Sequence, residues 1–170
     1  ITDKKKLEIK IKKEQQILKM IIVIIGDSVQ FYEIKDNYEQ FCSDSLLYIN
    51  QEDQPIENAN SLYIMIHTFK GLFAQLYMKN TVKRLHKYES KLLKFMDSDI
   101  STNDKLEQMI INFNLALCME EDLLLIARVL GDNFLIENTY IKIKEDLLLK
   151  LEEKLSQFTG DIVAHKIGDF

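Results

Sequence analysis

Turn-forming residues are too scarce in this sequence for anything but long helical stretches: one proline and five glycines are spread over 170 residues. An all-β sandwich or barrel reverses roughly every 8–12 residues and draws on Gly and Pro to do so. Gly26, Gly71, Gly131, Gly160 and Gly168 also stand too far apart to build a loop that cradles nucleotide phosphates. Hydrophobic residues at 46% and charged residues at 29% supply a core and a solvated surface, unlike the composition of disordered chains. The expectation is one compact all-α domain with additional helices at its ends.

Charge is unevenly placed. Residues 1–20 hold seven lysines against Asp3, Glu8 and Glu14, a net of +4, which leaves −9 of the overall −5 for the remainder. An acidic body argues against a nucleic-acid surface. The lysines of the first segment alternate with aliphatics, as on a solvated helix face. Cys42 and Cys118 are single cysteines without paired spacing, as expected of buried thiols in a reducing compartment, and the expected setting is the cytoplasm. The longest apolar run, Met20 to Ile25, falls far short of the roughly 20 residues of a membrane span, so no membrane partner is expected. The chain begins at Ile1 with no signal-peptide pattern and reads as a piece of a longer protein.

Apolar residues recur at helical spacing along most of the chain. Residues 1–25 form a leading helix whose 7, 11, 14, 18, 21, 25 seam, with Glu14 its polar exception, suits either a coiled-coil homodimer or folding back on the body. After Gly26, with Asp27 and Ser28 as N-caps, a second helix to about Asn50 carries Phe31, Ile34, Tyr38, Phe41, Cys42 and Ile49; Gln51 to Pro55 ends it. A third runs from Asn58 or Asn60 to about Met78 on Leu62, Ile66, Phe69, Phe73 and Leu76. A fourth, capped by Asn80 or Thr81, carries Val82, Leu85, Tyr88, Leu92, Phe95 and Met96. These two read as an antiparallel hairpin with a very short turn. Ser101 and Asp104 have capping-box spacing ahead of Leu106, Ile110, Phe113 and Leu117. Helix then continues through Leu123, Leu124, Ala127 and Leu130 to Gly131. A last segment, Glu137 to Gln157, carries Ile141, Leu148, Leu151 and Leu155, and Gly160 onward reads as a tail. The expected organisation is a leading helix at 1–25, a bundle at 26–131, and a trailing helix and linker at 132–170.

The informative stretch is Ile66-His67-Thr68-Phe69-Lys70-Gly71. At about 100° per residue, His67 points roughly 140° away from the centre of the stripe Leu62, Ile66, Phe69, Phe73, Leu76, so it stands off the core. Asn60, Gly71, Ala74 and Met78 share its outer face. A glycine inside a helix costs about 0.5–1 kcal/mol relative to alanine, which suggests that something approaches the backbone closely at Gly71. Lys70, one turn from His67, places an ammonium where it can reach an anion held on the imidazole. Ile64 and Met78 form an apolar rim and, with Ala74, are the expected partner-docking residues. A nucleophilic nitrogen, a cation and an open approach suit a histidine that carries a phosphoryl group to another protein, because phosphoryl transfer asks chiefly for positioning and charge stabilisation.

His67, Lys70 and Gly71 spell H-x-x-K-G, and nineteen residues after His67 come His86 and Glu89 as H-x-x-E on the neighbouring helix. In both respects the sequence resembles the histidine phosphotransfer domains of two-component signalling, closest to the amino-terminal phosphotransfer domains of CheA-type chemotaxis kinases. The resemblance covers roughly Gly26 to Gly131. It implies an antiparallel up-down four-helix bundle in which His67 is the phosphorylated residue, through its outer ring nitrogen. Glu89 would accept a hydrogen bond from the other ring nitrogen and fix the tautomer, Lys70 would offset phosphate charge, and His86 would support the network. The implied partners are a histidine kinase catalytic domain and a response-regulator receiver domain, and the parent protein would be a sensor or CheA-like kinase. Leu72 and Phe73 depart from the small residues that commonly follow the glycine in this family, which puts partner preference in question.

Other chemistries find little footing. No C-x-x-C, H-E-x-x-H or paired E-x-x-H pattern is present, so no metal is expected; no nucleophile elbow or P-loop appears, so no ATP site and no cofactor are expected. His165, in the tail, carries no signal. The competing reading is a non-catalytic helical interaction or dimerisation module.

Overall fold

A computed structural model describes residues 3–49, 54–136 and 150–157, and among them every regular element is helical. In chain order these are α1 (Asp3–Gly26), α2 (Ser28–Asp44), α3 (Pro55–Gln75), α4 (Lys79–Met96), α5 (Asn103–Phe113), α6 (Glu120–Leu130) and α7 (Asn133–Ile136), with short 3₁₀ turns at Ser45–Tyr48 and Leu115–Cys118. Residues 150–157 are also helical, with Leu151 buried; the rest of the expected trailing segment, including Ile141, Leu148, Gly160 and His165, lies outside the described residues. No described helix is long and apolar enough to cross a membrane.

The chain divides into two compact units, residues 30–125 and the two ends, 1–29 with 126–170. The leading and trailing segments thus fall in one unit. In it the first turns of α1 stand in solvent, with Leu7 and Ile9 exposed, while Leu18, Met20, Ile21 and Ile24 are buried.

Residues 30–125 form a helical bundle around an aromatic core. Tyr38 of α2 meets Phe69 and Phe73 of α3 edge-on, each at 5.1 Å between ring centroids, and Phe41 lies 5.3 Å from Phe69. Edge-to-face pairs set the positive ring edge against the negative ring face, which adds to the burial gain. The Tyr38 hydroxyl donates to the Leu115 carbonyl at 2.7 Å, so this buried ring leaves no orphaned donor. On the other side Tyr88 of α4 packs on Phe113 of α5 at 4.3 Å. Burial pushes the Cys42 thiol up to about 12 and raises that of Cys118 as well, so neither is a reactive thiolate at neutral pH.

α3 and α4 are the most extensively paired helices and form a hairpin. Pro55 occupies the first position of α3, where its missing N–H is harmless and its fixed φ is helical, so the helix starts three residues ahead of the expected Asn58. The turn out of α3 is a Schellman motif. The Met78 amide donates to the Phe73 carbonyl and the Tyr77 amide to that of Ala74, both at 3.1 Å. Tyr77 adopts φ 58°, a left-handed conformation that costs a non-glycine residue roughly 1–2 kcal/mol. This turn corrects the placement of Met78 on the outer face with His67. Past the end of α3 the helical period no longer applies, and the left-handed residue swings Met78 inward, where it is fully buried along with Phe73.

α4 begins at Lys79, so Asn80 and Thr81 lie inside its first turn rather than capping it. The buried Asp122 side chain, from the start of α6, does the capping. It accepts from the Thr81 amide, the Thr81 hydroxyl and the Asn80 side-chain amide, each at 2.8 Å. At α5 the cap is Thr102, one residue beyond the expected Ser101, and Ser101 instead donates to the carbonyls of Phe95 and Ser98.

Candidate functional site

His67 sits mid-way along α3, and its side chain is 61% exposed. Ile66 beside it is fully buried with Leu62 and Phe73, because the apolar stripe dictates which face of α3 turns inward. Helical geometry then places His67 in solvent. Tyr63, one turn earlier, stacks against the imidazole at 5.9 Å between centroids and 23° between planes.

Glu89 reaches this face from α4. Its position next to Leu85 and Tyr88 puts it at the α3–α4 seam, and it is only 3% exposed. Its two carboxylate oxygens divide the neighbouring donors. Oε1 lies 2.8 Å from His67 Nδ1, whereas Oε2 takes the Lys70 ammonium at 2.5 Å and His86 Nδ1 at 3.3 Å. Burial alone would push this carboxyl up, but hydrogen bonds from Lys70, His67 and His86 outweigh it and hold the group below the usual carboxylate range. Glu89 is therefore ionised at neutral pH.

Ionisation decides the imidazole tautomer. A carboxylate only accepts hydrogen bonds, so the proton shared with Glu89 belongs to His67 Nδ1, and the lone pair is left on Nε2. Nε2 is the nitrogen directed away from the carboxylate, on a ring mostly open to water. The arrangement matches that of a metal-ligating histidine whose second nitrogen is oriented by a carboxylate. Here the free nitrogen is available to an incoming electrophile.

The sequence expectation gave Lys70 the task of meeting an anion on His67. In the structure its ammonium is held by Glu89, with 22% of the side chain exposed. The physical reason is that a buried carboxylate needs a paired cation, and Lys70, one turn from His67 on the same helix, is the residue that reaches it. Gly71 is exposed, and a Cβ built there would meet no heavy atom within 4 Å. Among the described residues no neighbour requires the missing side chain. Ile64, at 54% exposed, and Ala74 lie on the open face as expected, whereas Met78 does not.

No family model, curated protein or solved structure matches the chain. Among the described residues no group of three or more His, Cys, Asp or Glu side chains is arranged to hold a metal ion.

Tyr63 was missed in the sequence, although its four-residue spacing from His67 on one helix face is the signal that could have found it. Also missed were Tyr77, Lys79, Val82 and Lys83, which with Ala74, Lys70 and His86 line an open groove beside the site.

Proposed function

We propose that residues 30–125 form a histidine phosphotransfer domain, with α2, α3, α4 and α5 as its four antiparallel helices and His67 as the phosphoryl carrier. One observation carries the reading: a buried, ionised Glu89 is bonded to Nδ1 of an imidazole that remains mostly exposed. That pairing presents a nucleophilic Nε2 of fixed tautomer on an exposed helix face, which is the requirement of a carrier that must meet two proteins in turn.

In the first step the Nε2 lone pair attacks the terminal phosphorus of ATP held by a histidine kinase catalytic domain. The N–P bond forms as the P–O bond to the departing ADP breaks. The ring then carries a positive charge, and Glu89 stabilises it through the Nδ1 proton. In the second step a carboxylate oxygen of a receiver-domain aspartate attacks phosphorus, the N–P bond breaks, and the electron pair returns to Nε2. Both displacements are in line and need room for a partner along the N–P axis; the exposed Gly71, where a Cβ would meet no heavy atom within 4 Å, supports that reading. Lys70 acts as a positioning residue: it neutralises Glu89 and fixes the oxygen that orients His67. The longer protein to which this domain belongs would be a sensor or CheA-like kinase.

The test is phosphorylation by histidine kinase catalytic domains of the same organism. ATP alone should leave the chain unlabelled, whereas a cognate kinase domain should add an acid-labile, base-stable phosphate that His67→Gln abolishes. Label that survives this substitution would overturn the assignment.

A further inference from the structure

The open groove beside the site has a volume of about 620 Å³. Its apolar lining comes from Ala74, Val82 and the Tyr77 ring, and its charge from Lys79 and Lys83. Lys70 and His86 of the Glu89 cluster line it too, so groove and site are contiguous. No carboxylate lines it, and among the described residues neither Lys79 nor Lys83 has an ion-pair partner.

Tyr77 supplies a second, independent observation. It occupies the left-handed position of the α3–α4 turn, where glycine would be unstrained, yet its large ring is 42% exposed. Among the described residues no hydrogen bond or ring contact accounts for an aromatic residue there. A tyrosine presented beside unpaired lysines has the chemistry of an interface anchor.

We infer that this groove is the docking surface for the phosphoryl-accepting protein, that it recognises an acidic face on that partner, and that Tyr77 is its anchor. The inference rests on the phosphocarrier reading of His67. Of the two partners, the acceptor brings its negative charge as a carboxylate of its own protein surface, whereas the donor's anionic charge is that of the nucleotide held in its own site; the loading measurement below decides between them. Charge complementarity of this kind acts chiefly on the rate of encounter and fades with salt.

The experiment separates loading from transfer. The full chain is phosphorylated chemically with phosphoramidate, which needs no kinase, and is then mixed with purified receiver domains from the same organism. The wild type, Lys79→Glu/Lys83→Glu and Tyr77→Gly proteins are compared. Acids in the first turns of α4 favour its helix dipole, and glycine relaxes the Tyr77 backbone, so both variants should fold. We expect unchanged phosphoramidate labelling, transfer slowed about tenfold at low salt in the charge-reversal variant with the gap closing as salt rises, and slower transfer by Tyr77→Gly with its helix content retained. Transfer at the wild-type rate by both variants would overturn the groove assignment. If loading by a kinase domain slows instead, the groove serves the donor and the acceptor assignment fails. If phosphoramidate leaves His67 unmodified, or no receiver accepts from the labelled wild type, the phosphocarrier reading itself falls.

Discussion

Glu89 Oε1 lies 2.8 Å from His67 Nδ1 across the α3–α4 seam, while the imidazole keeps 61% of its side-chain surface in solvent. The two residues come from different helices and have opposite environments. The carboxylate is buried, so its position and charge are set by the hairpin; the imidazole is free, so its second nitrogen is set by the carboxylate. The reactivity of a surface histidine is thereby tied to the packing of α3 against α4, the best-paired helices among the described residues.

Removing the carboxylate should cost rate and little structure. Glu89→Ala leaves His67 free to rotate and to exchange tautomers, and on the proposed function it withdraws the charge that would stabilise a phosphorylated ring. Phosphorylation of His67 should slow by about 10–100-fold, the usual effect of losing an orienting carboxylate, while helix content by circular dichroism stays near that of the wild type. An unchanged rate would remove Glu89 from the mechanism.

The same carboxylate predicts a pH dependence of stability. Its folded pKa lies below the ordinary value of 4.5, so on acidification the unfolded chain takes up this proton before the folded one does. The contribution of Glu89 is fully present above that ordinary value and is lost as pH falls through the depressed folded value. Urea unfolding of wild type and Glu89→Gln should show a stability difference that is constant near neutrality and shrinks below about pH 4.5. A difference that widens on acidification would contradict this account.

Much of the site was legible because α3 is strongly patterned. Once Leu62, Ile66, Phe69 and Phe73 define its inner face, His67 must point outward, and Glu89, close to Leu85 on its helix, must lie near the seam. What escaped depended on how helices end. Periodicity carries no warning that α3 stops at Gln75, so Met78 was placed outside although the left-handed Tyr77 turns it in. The sequence shows the spacing of Lys70 from His67 but not that the Glu89 carboxylate paired with it is buried and in need of a cation. Asn80 and Thr81 have good capping chemistry, yet their partner is 42 and 41 residues away in Asp122, a contact that no local pattern encodes.

That remote cap should be among the most sensitive positions of the bundle. Asp122 is 2% exposed and accepts three hydrogen bonds at 2.8 Å, one of them from an amide in the first turn of α4 that the helix itself cannot satisfy. Asp122→Ala orphans that amide together with the buried Thr81 hydroxyl. A loss of about 2–4 kcal/mol is expected in urea unfolding, more than for Thr81→Ala, which leaves the carboxylate its other partners. Equal losses for the two variants would show that Asp122 acts only through the hydroxyl.

Gly71 separates folding from partner access. Because a Cβ there would meet no heavy atom within 4 Å, Gly71→Ala should fold well and gain about 0.5–1 kcal/mol from reduced backbone freedom in the unfolded chain. If the bare backbone exists only for want of selection, larger side chains should be equally harmless to function. If it exists to admit a protein to Nε2, the effect should grow with side-chain size and fall on protein partners alone. Gly71→Leu should then label with phosphoramidate at the wild-type rate, because that donor is small, while phosphorylation by a kinase domain and transfer to a receiver both drop by tenfold or more, on the order of 1.4 kcal/mol per factor of ten. Equal slowing of the small donor would instead place the obstruction on the imidazole itself, and wild-type rates with both protein partners would leave Gly71 without a role in the relay.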